Sequence, residues 1–132
     1  MQAYRLEMGI KSGFSGRKNL YEFWSRQVTD VLNDDLGQES KPLLVNLASD
    51  EYFKVIQPQE ITAPVLKVSF KENKSGTYKV VAIHAKRARG LMINFVVTNH
   101  LEKVQDLKTF NLQGYQLNDS LSSDQEWVFC RD

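Results

Sequence analysis

Cysteine is nearly absent from this 132-residue sequence: Cys130 stands alone, so no disulfide can form within the chain. That usage fits a reducing cytoplasm. Long apolar runs are missing too. None approaches the ~20 residues of a membrane span, and the first ten residues, charged at Arg5 and Glu7, do not read as a signal peptide. An excess of one charge sign is also lacking. Seventeen Lys and Arg face sixteen Asp and Glu, which excludes a histone-like polycation but leaves room for a local basic patch, because a surface field depends on where charges sit. Glycine is sparse, and Gly9, Gly13 and Gly16 have neither Walker nor dinucleotide-loop spacing. The two histidines, His84 and His100, have no partners at metal-ligand spacing. No Ser-His-Asp or Cys-His arrangement, zinc-finger pattern or RNP motif appears. No repeat, low-complexity tract or cofactor signature is present, and no cofactor is expected.

What remains is an ordinary globular composition, 42% hydrophobic and 25% charged, at the size of one domain over residues 1–132. Tyr4, Leu6 and Met8 alternate with Arg5 and Glu7, a period-two pattern that predicts a short strand. Arg5 and Glu7 then share its other face, either as a solvated ion pair or with Arg5 on a binding surface. Ser12–Gly16 is a loop. Lys18–Leu36 predicts a helix, with Leu20, Phe23, Trp24, Val28, Val31, Leu32 and Leu36 on one apolar stripe and Gly37 at its end. Leu43–Ala48 reads as a buried strand. Ser49 suits an N-cap, with Asp50 and Glu51 in the first turn where the helix dipole favours acids. The same pair is the candidate for general acid/base work.

Val65–Phe70 alternates again, Glu72–Gly76 is a turn cluster, and Thr77–Ile83 resumes with β-branched and aromatic residues, which together predict a hairpin. Leu101–Phe110 reads as a short helix or turn, Asn118–Asp124 as exposed loop and Glu126–Arg131 as a closing strand, with Cys130 as a core or edge thiol.

Lys79–Asn99 joins the tightest basic cluster in the chain to its most apolar helix. With a helix starting near Ala85, Ala85, Ala88, Met92, Phe95 and Val96 form the core face. Lys86, Gly90, Ile93 and Val97 lie opposite, Arg89 on one edge and Arg87 with Asn94 on the other. The far end is expected to be buried all round. Three cations in a first turn disfavour the helix by about 0.3–1 kcal/mol each, whereas an anion held by free N–H groups and these side chains reverses the sign. Gly90 would admit a ligand or a neighbouring backbone. The alternative is that the cations snorkel or pair with acids such as Glu51 or Glu102.

Tyr4–Gly9, Leu20–Trp24, Asn46–Lys54, Ala85–Met92 and the tail pair Phe110-Asn111 with Gly114-Tyr115 stand in the order found in the YaaA family of bacterial peroxide stress resistance proteins. The chain resembles the C-terminal half of such a protein, with the N-terminal half absent. The resemblance implies a cytosolic protein that binds DNA through a positively charged cleft and limits damage from unincorporated iron. It also implies a helix-hairpin-helix element, which belongs to the absent half. Three positions depart from the family pattern: Ala3 replaces proline, His84 replaces a usual aromatic residue, and Asn94 replaces an arginine beside Arg87 and Gly90.

Three readings follow. One is a DNA-binding stress protein in which Arg5, Lys86, Arg87 and Arg89 contact the phosphate backbone, with Gly90 beside them and the missing half as a partner chain. Another is an enzyme on a phosphorylated or nucleotide substrate, with Glu7, Asp50 or Glu51 as acid/base groups. The last is an inactive truncated remnant. The expected architecture is α+β: a mixed sheet around a central hairpin, with two main helices, forming half of a larger YaaA-like fold.

Overall fold

The structure, a computed structural model, describes residues 20–132, with side chains from Ser25 onward. Arg5, Glu7 and the strand and loop expected around them lie outside the described residues, as do the side chains of Phe23 and Trp24. The fold is α+β, with two 17-residue helices and a five-stranded mixed sheet among the described residues. The described chain divides into two compact units: residues 20–44 with 48–65, and residues 45–47 with 66–132.

In the first unit, helix α1 (Leu20–Leu36) buries Leu32, Leu36 and Thr29. Val31, expected on the apolar stripe, is instead 48% exposed. It sits roughly 100° around the helix from Leu32, on the side away from Thr29. Polar side chains of α1 hold the segment that follows. The Ser25 hydroxyl donates to the Val55 carbonyl at 2.5 Å, and the Thr29 hydroxyl lies against the carbonyls of Ser25 and Ile56. Asn33 donates to the Glu60 carbonyl at 2.8 Å and accepts the Thr62 N–H at 2.9 Å. Helix α2 (Asp50–Phe53) is capped as expected, with the Tyr52 N–H reaching Ser49 Oγ at 3.4 Å.

The second unit is built on the sheet. Strand β1 (Leu44–Asn46) neighbours β2 (Val65–Lys74), followed by β5 (Glu126–Arg131) and β4 (Gln116–Leu117), while β3 (Thr77–Lys79) pairs with β2. The apolar residues of β1 are only half-buried and the polar Asn46 is its buried member, against the expected buried apolar run. Strand β2 runs parallel to β5 in a register that pairs Phe70 with Phe129 and Glu72 with Arg131. Side chains at one level of neighbouring strands share a face. The Phe70 and Phe129 rings stack at 5.6 Å, and Phe110 and Tyr115 meet Phe70 edge-on at 5.8 and 5.2 Å. Strand β5 is buried on both faces. Cys130 belongs to its other face, and burial pushes its thiol pKa up, as befits a core thiol.

The expected hairpin is present, but Glu72 belongs to β2 rather than to the turn. The turn is Ser75-Gly76, with φ of 54° and 86°, the pair of positive values that a two-residue hairpin loop requires. β3 ends at Lys79 instead of continuing to Ile83. Val80 and Ile83 are 57% and 60% exposed, so burial does not hold this β-branched stretch in the sheet.

Helix α3 (Ala82–Thr98) starts three residues before the expected Ala85. Lys86, Arg87 and Arg89 therefore occupy its second turn, beyond the first-turn N–H groups. Ala85, Ala88 and Met92 are buried and Phe95 and Val96 half-buried, as the wheel predicts. The far end is not buried all round: Ile93 is 43% and Val97 61% exposed. The helix closes in a Schellman motif, with Leu101 N–H on the Val96 carbonyl at 3.0 Å and His100 N–H on that of Val97 at 3.3 Å. This places His100 at a left-handed φ of 51°. Among the described residues no helix is long and apolar enough to cross a membrane.

Candidate functional site

The alternation that buries Leu66, Val68 and Phe70 continues one step further and buries Glu72, only 6% exposed. A carboxylate in that position needs partners, and the fold supplies them from two elements. Arg131, its register neighbour on β5, donates Nε–H to Oε1 at 2.5 Å, with a second guanidinium nitrogen on the same oxygen. His84, in the first turn of α3, brings Nδ1 within 2.9 and 3.0 Å of the two carboxylate oxygens. Lys74 stands 3.6 Å away. The hydrogen bond from His84 does most to lower the Glu72 pKa, to about 2 from 4.5, and Arg131 adds to it against the opposing effect of burial.

Arg131 is engaged on every side. Its remaining nitrogen donates to the Gln113 carbonyl at 3.2 Å, and its guanidinium lies 4.6 Å above the ring of buried Tyr115. The turn that offers this carbonyl has two left-handed residues, Gln113 at φ 57° and Gly114 at φ 80°. Its charge is thus balanced by Glu72, and its role is to fix the wall on which it sits.

His84, Arg131, Gln113 and Tyr115 line a cleft of about 600 Å³. Helix α3 contributes His84, Arg87, Gly90 and Asn94, and the opposite wall is formed by Gln113, Tyr115 and Arg131. Arg87 is exposed and has no ion pair among the described residues, so it is the uncompensated cation of the cleft. A Cβ on Gly90 would meet no atom within 4 Å: no backbone approaches there, and the position opens onto the cleft. With Glu72 ionised, the Nδ1 of His84 carries the proton that Glu72 accepts. Its Nε2 is then the ring nitrogen left for a ligand in the cleft.

Of the residues singled out by sequence, Arg87 and Gly90 meet in the cleft, with Asn94 beside them. Lys86 is exposed and Arg89 half-buried, and neither lines it. Asp50 and Glu51 belong to the other unit, in the first turn of α2. Sequence reasoning missed Glu72, His84 and Arg131. The signal for Glu72 was available, since the period-two count from Leu66 puts it on the apolar face. Nothing local signals Arg131, whose partner is 59 residues away. Among the described residues no group of three His, Cys, Asp or Glu side chains is placed to hold a metal ion.

A family model described as peroxide stress protein YaaA matches residues 1–121. The chain is 53% identical over 132 residues to a UPF0246 protein of Acaryochloris marina, covering 100% of this chain and 52% of that protein. It is 47% identical over 131 residues to a UPF0246 protein of Colwellia psychrerythraea and 46% identical over 131 residues to one of Neisseria meningitidis. It spans about half the length of these curated relatives.

Proposed function

Because this chain belongs to the YaaA family of peroxide stress proteins, we propose that it serves the peroxide stress response in the cytoplasm by holding the phosphate backbone of DNA in the cleft beside α3. The observation that carries the reading is Arg87: a cation without an ion pair among the described residues, in an open cleft whose other arginine is already neutralised by a buried carboxylate. Arg87 contacts phosphate in the cleft, and exposed Lys86, one residue before it, adds to the attraction from outside the cleft. The reading assigns these groups to phosphate alone, so binding is backbone binding, insensitive to sequence and strongly dependent on salt. Limiting damage from unincorporated iron rests on family membership, and this reading gives no residue of the chain a role in holding iron. A mobility-shift series on an unrelated-sequence duplex tests the DNA reading. Retardation at low salt that fades as salt rises supports it, and no retardation at the lowest salt rejects it.

A second reading, an enzyme acting on a phosphorylated or nucleotide substrate, is favoured by His84 alone. A histidine fixed through Nδ1 by a buried carboxylate and lining an anion-binding cleft has the arrangement of a general acid/base. The proton carrier would then be His84 rather than Glu7, Asp50 or Glu51. Loss of phosphate-ester hydrolysis in His84→Gln, with phosphate binding retained, is the result that selects it.

A further inference from the structure

The outer face of α3 carries a second pattern, which meets the cleft only at Gly90. Ile83, Lys86, Gly90, Ile93 and Val97 follow one another at steps of three, four, three and four residues. That is the a/d spacing of a helix-packing seam, and it spans about 21 Å at 1.5 Å per residue. Every member is exposed: Ile83 60%, Ile93 43% and Val97 61%, with Lys86 and Gly90 between them. Val80, just before the helix, is also 57% exposed. Gly90, at the middle of the seam with no atom within 4 Å of a Cβ placed on it, leaves a gap where another backbone can come close.

We propose that this seam is the docking surface for the half of the family sequence that this chain does not match. Two observations choose that occupant. The matched relatives are about twice as long as the chain at 46–53% identity, so a comparable length of family sequence exists for such a surface to pack against. The seam is also a poor self-pairing device. It is two heptads long with a glycine at its centre and a lysine at a core position, and short helices of that kind do not hold a dimer by themselves. A folded half spreads the contact over more than one helix and covers the Lys86 stem while its ammonium stays in water. The inference rests on the seam and the relatives' length, and stands whether or not the cleft binds DNA.

The test is co-expression of this chain with the complementary half of the Acaryochloris marina relative, with an affinity tag on this chain only. The expected result is a one-to-one complex. Ile93→Asp and Val97→Asp each lower recovery of the complementary half about tenfold or more, while Leu121→Asp, at another exposed apolar residue (44%), leaves it unchanged. Since Ile93 and Val97 are exposed, these variants keep the melting temperature of the unaltered chain, which is measured alongside. A complementary half that is not retained by the chain overturns the proposal. So does equal recovery with Val97→Asp, or a self-dimer of this chain that Val97→Asp dissociates.

Discussion

Glu72 and Arg131 sit at the same level of two parallel strands, and their side chains meet on the face that also holds Phe70 and Phe129. The pair reaches both walls of the cleft. Glu72 fixes His84 from behind, and Arg131 braces the turn at Gln113 and Gly114. Removing Glu72 leaves the half-buried Arg131 without its counter-charge, and removing Arg131 leaves Glu72 buried without its arginine partner; both are destabilising for a pair held in the protein. Glu72→Gln is therefore expected to lower the melting temperature by several degrees, and Glu72→Gln with Arg131→Met to recover part of that loss, as a double-mutant cycle in thermal unfolding will show.

The same carboxylate gives stability a defined acid limb. Its folded pKa of about 2 lies below its ordinary 4.5, so over that interval the unfolded chain binds the proton that the folded chain refuses. The stabilisation is complete above about 4.5 and is lost as pH falls towards 2. Urea midpoints measured from pH 2 to 5 should rise with pH in the unaltered chain and rise less steeply in Glu72→Gln.

The aromatic layer of the core gathers Phe70, Phe110, Tyr115 and Phe129. Phe129 is 0% exposed and touches both Phe70 and Phe110. Phe129→Ala opens a cavity in a surrounding that cannot fully collapse and is expected to cost about 3–5 kcal/mol in denaturant unfolding.

His100 offers the opposite test. It holds the left-handed position of the Schellman motif, at φ 51°, where glycine is the favoured residue. His100→Gly should raise stability by about 0.5–1 kcal/mol, the gain being the relief of a strained backbone. A loss of stability would show that its side chain does more than close the helix.

Much of this architecture is legible in the sequence, and the failures have identifiable causes. The hairpin, the N-cap at Ser49 and the closing strand Glu126–Arg131 follow from short-range chemistry: alternation, turn residues and a hydroxyl before two acids. The core face of α3 follows from its period even with the start misplaced by three residues, since the period does not depend on where the helix begins. The start itself was misread because Val80, Val81 and Ile83 favour strand by residue type while nothing in the sheet buries them. Ile93 and Val97, opposite the core face, are expected to be buried with the far end of the helix and are instead exposed, because an apolar side chain does not announce what covers it. The cleft was half legible. Arg87, Gly90 and Asn94 come from one helix and can be placed by a wheel, but their opposite wall arrives from Gln113, Tyr115 and Arg131, and only tertiary pairing brings it there.

The central claim is that Arg87 is the phosphate contact of the cleft, and the salt dependence of binding tests it most directly. Fluorescence anisotropy of a labelled duplex, titrated with the unaltered chain and with Arg87→Ala across a salt series, gives the slope of log affinity against log salt. The expected result is weaker binding at every salt concentration and a slope shallower by about 1 in Arg87→Ala, the mark of one lost phosphate contact. Binding by Arg87→Ala with unchanged affinity and slope, or no binding by the unaltered chain at the lowest salt, would contradict it.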